Sequence, residues 1–170
     1  MSRALVVYES MFGNSEKVAL AVAEGVAEVM SVALVDVSEA PTDLRGVDLV
    51  VAGGPTHVFS MSRESTRRDA RGRGATHGSV ETGLRDWLWE LPDEHRRWFA
   101  AFDTKATTVR RLPGSASHSA AKASRHHGFH EALAPESFYV LGVEGPLVQG
   151  ELERARAWGH EVASSVPARV

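Results

Sequence analysis

The sequence predicts an α/β domain: a doubly wound, five-stranded parallel sheet in the order 2-1-3-4-5, with helices on both faces. Three observations carry this. Short apolar, β-branched runs alternate along the chain with longer runs of helical periodicity. The first strand run leads through a glycine-containing turn directly into a helix, as in a right-handed βαβ crossover. Five such strand runs fit in 170 residues, without an internal repeat or a linker that would divide them.

Arg3 to Tyr8 is the first strand, apolar at consecutive positions as a strand buried on both faces requires. Ser10 to Ser15 is a turn with Gly13 and Asn14. A helix follows from Ser15 to Met30, with Val18, Val22, Val26 and Met30 as its apolar stripe and Lys17, Glu24 and Glu28 opposite. Val32 to Val37 and Asp48 to Ala52 are the second and third strands, the third running into Gly53-Gly54-Pro55. Trp98 to Phe102 is the fourth strand and Ser137 to Leu141 the fifth. Helical patterns run over Val80 to Leu91, Ser115 to His127 and Gly150 to Ser165.

One stretch, Phe59 to Ser79, reads as irregular. It carries Arg63, Arg67, Arg68, Arg71 and Arg73 with three glycines. The expected organisation is a single domain over 1–170 with an Arg-rich insertion at about 60–79. Two readings of the insertion stand side by side: a mobile solvated loop, or a lid or docking segment for an anionic partner.

Composition narrows the function. Hydrophobic residues make up 43% and charged residues 24%, as in an ordinary globular protein. There is no cysteine, which excludes a disulfide scaffold, a thiol nucleophile and Cys-ligated zinc or iron–sulfur centres. The net charge of −3 argues against a nucleic-acid binder. No apolar run has transmembrane length and no signal-peptide pattern opens the chain, so the expected location is the cytoplasm, without stable membrane insertion. His118, His126, His127 and His130 cluster, but without a Glu between the His126–His130 pair they read as a surface run; no metal site is expected. Trp87, Trp89, Trp98 and Trp158 read as packing residues.

In a doubly wound sheet, ligands bind beyond the carboxyl ends of the strands where the strand order reverses, here between the first and third strands. Two loops must meet there: Ser10-Met11-Phe12-Gly13-Asn14-Ser15 and Gly53-Gly54-Pro55-Thr56-His57-Val58-Phe59-Ser60. The first opens a helix, whose free N–H groups and partial positive charge suit an anion. Gly13 permits close approach, and Ser10, Asn14 and Ser15 add neutral donors. The other reading is an ordinary strand–turn–helix connection with Ser15 near the N-cap. No G-x-x-x-x-G-K-[ST] and no G-x-G-x-x-G is present, which argues against a P-loop nucleotidase and a dinucleotide site. A phospho-acceptor domain needs an Asp at the end of the third strand, which here ends in glycines.

The stretch Tyr8-Glu9-Ser10-Met11-Phe12-Gly13-Asn14-Ser15, followed by Val18-Ala19, resembles the FMN phosphate loop of flavodoxins. Gly53-Gly54-Pro55-Thr56 resembles that family's second, flavin-flanking loop. The resemblance implies a flavodoxin-like three-layer sandwich that binds FMN. Ser10, Gly13, Asn14, Ser15 and the backbone N–H groups of Met11 and Phe12 would hold the phosphate. Pro55, Thr56 and His57 would flank the ribityl chain and ring, and Phe59 is the nearest stacking aromatic. Asp103, Thr104 and Thr107, beyond the fourth strand, could reach the pyrimidine side, and Lys105, Arg110 and Arg111 could add positive charge there, the two arginines reading first as part of a solvated loop. Phe12 stands where the family has a second Thr, and no aromatic follows the fourth strand.

The implied function is an FMN-binding electron carrier with no catalytic side chain, working with a redox partner protein or a small-molecule electron donor or acceptor. Two alternatives stay open. One is an oxidoreductase resembling quinone reductases or protoporphyrinogen oxidases, with His57 as proton donor. The other is an interaction module of the same fold with weakened flavin binding.

Overall fold

A computed structural model describes residues 2–93 and 96–168. One parallel sheet contains β1 (Arg3–Tyr8), β2 (Ser31–Asp36), β3 (Leu49–Pro55), β4 (Trp98–Ala106), β5 (His130–Glu131) and β6 (Glu136–Val140). The order is β2-β1-β3-β4, and β5 and β6 both pair with β4. The expected fifth strand, Ser137 to Leu141, is β6, displaced by one residue, so the order 2-1-3-4-5 holds, and the two-residue β5 is an additional strand on β4. The described helices are α1 (Asn14–Ala27), α2 (Glu64–Gly72), α3 (Leu84–Glu90), α4 (Ala116–His126) and α5 (Glu151–Ser165).

The apolar runs are buried on both faces by strict alternation. Ala4 and Val6 of β1, with Leu49, Val51, Ala100 and Phe102, meet the Val18–Val22–Val26 stripe of α1 and Trp158 and Val162 of α5. Leu5 and Val7, with Val50, Ala52, Phe99 and Ala101, meet Leu84, Trp87 and Leu88 of α3 and Ala116 and Ala120 of α4. Each fully buried Val or Leu contributes roughly 1.5–3 kcal/mol of transfer free energy. Alternate residues thus serve two cores, which is why no polar position interrupts the runs Ala4 to Val7, Leu49 to Ala52 and Phe99 to Phe102. None of the described helices is long and apolar enough to cross a membrane.

Three expectations need correction. β3 extends through Gly53-Gly54-Pro55, expected as loop. Gly53 is required there because a Cβ would sit 2.2 Å from Cζ of Phe102, whose ring lies against the strand. β4 likewise runs on to Ala106, so Asp103 and Thr104 lie in the strand and not beyond it. There they pair in register with Gly54 and Pro55 of β3 and Ser137 and Phe138 of β6.

The largest correction is in the stretch from Phe59 to Ser79. It contains α2, a nine-residue helix, whose buried residues are Arg67 and Ala70. A helix that buries an arginine leaves no apolar stripe in the sequence. Arg67 is 1% exposed. Its Nε donates to Val80 O (2.7 Å), its Nη1 to Ser62 Oγ (3.0 Å) and its Nη2 to Asp86 Oδ2 (2.9 Å). Arg71 is also committed, donating to the carbonyls of Ala75 (2.9 Å) and Gly78 (2.7 Å). Arg67 is therefore not a solvated docking charge, and Arg71, though exposed, is tied to backbone carbonyls.

Candidate flavin site

A cleft of about 280 Å³ opens beyond the carboxyl ends of β1, β3 and β4. Ser10, Met11, Phe12, Asn14 and Ser15 form one side. Pro55, Thr56, His57, Val58 and Phe59 form the next. Thr104, Lys105, Ala106, Thr108 and Val109 continue the wall, and Val140 and Val143 complete it. The two loops singled out in the sequence therefore meet. Gly13, Asp103 and Thr107 do not line the cleft.

The first loop is built around α1. Gly13 is its N-cap, at φ +94°, and no side chain caps the helix. The first-turn N–H groups of Asn14 and Ser15 have no partner within the helix by its geometry. Ser10 Oγ accepts from Gly13 N–H (3.1 Å), which folds the loop back on itself at the start of α1, and Ser10, Asn14 and Ser15 all line the cleft. Ser15 Oγ and Thr104 Oγ1 share a 2.7 Å hydrogen bond across the site. Asn14 Nδ2 donates to Glu144 O (2.9 Å), so that amide secures the segment after β6 and does not point freely at a ligand.

A residue absent from the sequence-level reading joins this loop. His77 N–H donates to Met11 O (3.1 Å), and the His77 ring stands 3.2 Å from where a Cβ on Gly13 would lie. Met11, Ala70 and Ala75 form a small buried cluster with Phe12 packed on it. Phe12 thus serves as packing between the loop and the α2 segment. No sequence signal marks His77, because its proximity depends on the course of a segment that reads as irregular.

The second loop is a tight turn. His57 N–H donates to Ser60 O (2.8 Å) and Ser60 N–H to His57 O (3.1 Å). Val58 (φ 48°) and Phe59 (φ 61°), between them, are both left-handed. Two bulky non-glycine residues at such φ store strain. The turn holds because both ends are tied. His57 Nδ1 lies 3.0 Å from Thr66 Oγ1 of α2, and Ser60 Oγ lies 2.8 Å from Ser119 Oγ of α4. The outcome is two exposed apolar side chains beside the cleft. Burial, and then the Arg67 charge, push the His57 pKa down to about 4, so the ring is neutral at pH 7.

The third wall differs from expectation. Asp103 is fully buried; its Oδ2 accepts from Ser117 N–H (2.9 Å) at the start of α4, and its Oδ1 has no hydrogen-bond partner among the described residues. Thr56 Oγ1 accepts from Ala116 N–H (3.0 Å). The N-terminus of α4 is therefore capped by protein. Lys105 Nζ donates to Leu112 O (2.8 Å) and Gly114 O (3.2 Å), tying down the loop after β4. Arg110 lies over the Tyr139 ring, 4.7 Å from its centroid. Among the described residues no group of three or more His, Asp or Glu side chains is placed to hold a metal ion.

The arrangement offers convergent N–H donors at a helix N-terminus, hydroxyls beside them, and apolar walls from Met11, Phe59, Val109, Val140 and Val143. That set suits an anionic group attached to a flat, largely apolar ring. No family profile and no curated protein matches the sequence. Solved structures do match the fold. An archaeal flavodoxin superposes with a TM-score of 0.69 at 18% identity, over 96% of this chain and 98% of its own. The Streptococcus pneumoniae TIGR4 flavodoxin gives 0.69 at 16% identity, over 97% and 100%. The Flv1 flavodiiron core of Synechocystis gives 0.64 at 14% identity, over 97% of this chain and 36% of its own. The chain has the flavodoxin-like fold.

Proposed function

We propose that the chain binds FMN non-covalently in this cleft and carries electrons. The observation that supports this most is the uncapped N-terminus of α1, folded by the Ser10–Gly13 bond, at one end of a cleft with apolar walls. When bound, the flavin supplies the redox chemistry. The amides of Asn14 and Ser15, with the hydroxyls of Ser10 and Ser15, hold the phosphate, and the His77 ring adds a donor beside Gly13. Thr56 and Thr104 face the ribityl chain, and Phe59 and His57 flank the ring. Asp103 and Thr107 act behind the wall: Asp103 fixes the start of α4, which holds Thr56 in place.

The carrier reading is preferred to an oxidoreductase because His57 is held neutral and tied to Thr66, which makes it a poor source of a proton at pH 7. The partner is a redox protein or a small-molecule electron donor or acceptor. The test is a visible spectrum of the purified protein with release and identification of any flavin, then titration with FMN and riboflavin. FMN is expected to bind the more tightly. Ser10→Ala with Ser15→Ala weakens FMN by about 1–3 kcal/mol if both hydroxyls reach the phosphate. Equal affinity for FMN and riboflavin overturns the phosphate assignment. Failure to take up any flavin favours the interaction module. Multiple-turnover oxidation of a nicotinamide cofactor with a quinone favours the enzyme.

A further inference from the structure

A second cavity, of about 480 Å³, lies between α3 and α4 on the side of Ser60 away from the turn tip. Its floor is apolar: Met61, Leu88 and Ala123 line it. Trp89 stands at its edge with 85% of its surface exposed, directly after the buried Trp87 and Leu88 that anchor the same helix. An indole this exposed contributes little to the core, and it leaves a large aromatic face open beside a cavity.

The charge in this cavity is unbalanced. Arg85 donates from Nε to Ser62 O (3.3 Å) and from Nη2 to Ser60 Oγ (3.0 Å) and Met61 O (2.8 Å). All three acceptors are neutral, and the Nη1 donors are left over. None of the ion pairs among the described residues includes Arg85. Burial, and then the Arg63 charge, pull its pKa below the ordinary guanidinium range. Lys122 and His126 line the same cavity. Asp93, the carboxylate of the lining, is turned to His127, 3.4 Å from its Nδ1. Asp86 and Glu9 act on Arg85 without forming an ion pair with it, and a partly desolvated cation whose hydrogen bonds all go to neutral acceptors can still take an external anion.

We infer that this cavity binds a planar aromatic compound carrying a carboxylate or phosphate, with the ring against Trp89 and the anion between Arg85 and Lys122. The site is separate from the flavin cleft and independent of the reading given for it. Arg is suited to either anion, and the Trp89 face and the Met61–Leu88–Ala123 floor accept a flat ring. The two sites touch through one residue: Ser60, in this cavity's wall, ends the turn whose tip lines the cleft.

The test follows the indole N–H resonance of Trp89, assigned with Trp89→Phe, in the purified protein with and without added FMN. The probes are benzoate and adenosine monophosphate, with benzyl alcohol as the uncharged ring and inorganic phosphate as the anion without a ring. A saturable shift at millimolar benzoate or adenosine monophosphate, absent with both controls, supports the site, and the stronger probe identifies the anion. Lys122→Glu, read by the same resonance, and Trp89→Ala, read by isothermal titration calorimetry because it lacks the reporter indole, each weaken it by about fivefold or more, since one reverses a charge beside the anion and the other removes the stacking face. Lys122 is exposed, so that variant carries the test if Trp89→Ala does not fold. No shift with either charged probe, equal binding of benzyl alcohol, or unchanged affinity in Lys122→Glu overturns the proposal.

Discussion

Glu9 and Arg67 are joined through a single buried hydroxyl. Arg67 Nη1 donates to Ser62 Oγ at 3.0 Å, and Ser62 Oγ donates to Glu9 Oε2 at 2.5 Å. The other oxygen, Oε1, accepts from Leu84 N–H at 2.6 Å, and Arg67 reaches on to Asp86. Glu9 directly precedes Ser10, so the network ties α2 and the start of α3 to the end of β1, one residue from the proposed phosphate loop. Desolvation raises the Glu9 pKa, against the Ser62 and Leu84 hydrogen bonds and the Arg67 charge, which lower it.

The arginines of this segment therefore fall into two classes. Arg67→Ala removes a buried charge that Glu9 and Asp86 both face, and the expected loss is about 3–5 kcal/mol of stability. Arg68→Ala removes only an exposed pair with Glu64, its side chain 65% exposed, and the expected loss is much the smaller of the two. Urea unfolding of the two variants checks this. Equal effects would return Arg67 to the solvated class.

The contrast shows what the sequence exposes and what it hides. The β1–α1 unit is legible because its apolar periodicities are pure: Val18, Val22 and Val26 are each fully buried. α2 is not, because Arg67 occupies the inward position that an apolar residue would mark. The two cleft loops are legible by composition, since Gly13 and the hydroxyls around it are local features. Val140 and Val143 reach the cleft, and His77 reaches its first loop, only through tertiary structure. Asp103 reads as loop because a polar run follows Phe102, whereas pairing on both sides by β3 and β6 keeps it in the sheet.

His57 gives the protein a pH dependence of definite sign. Its folded pKa of about 4 lies below the ordinary value of 6.5. Between those values the unfolded chain binds the proton more strongly, so stability rises with pH there. The contribution is fully present above pH 6.5 and is lost as the pH falls to about 4. At 1.36 kcal/mol per unit, its ceiling is about 3 kcal/mol. Urea unfolding from pH 4.5 to 7.5 should show His57→Gln with a shallower slope than the native protein. Parallel slopes would mean that the ring takes up its proton while folded.

The turn from His57 to Ser60 should be stronger with residues that accept its backbone. A two-residue turn with φ > 0 at both central positions favours Asn-Gly. V58N/F59G should stabilise the fold by about 1–2 kcal/mol by releasing the strain. It also removes the Phe59 ring from the cleft, so FMN and riboflavin should both bind more weakly. Thermal unfolding without ligand separates the two effects. A lower midpoint would show that Val58 and Phe59 hold the turn by contacts that outweigh its backbone strain.

The phosphate assignment makes Gly13 the most sensitive position in the cleft loop. At φ +94° an L side chain is strained, and a Cβ would press on the His77 ring at 3.2 Å. Gly13→Ala should therefore cost about 1–2 kcal/mol in backbone strain and shift the amides of the first α1 turn. FMN, which depends on those amides, should bind about tenfold more weakly, the factor that 1.4 kcal/mol represents. Riboflavin, which has no phosphate, should be nearly unaffected. His77→Ala isolates the second contribution: it leaves the Gly13 backbone alone and removes the ring beside it, so it too should weaken FMN and spare riboflavin. Fluorescence titration of both ligands against the native protein and both variants decides the matter. If Gly13→Ala weakens the two flavins alike while the protein stays folded, the helix end holds no phosphate and the ligand's anion lies elsewhere.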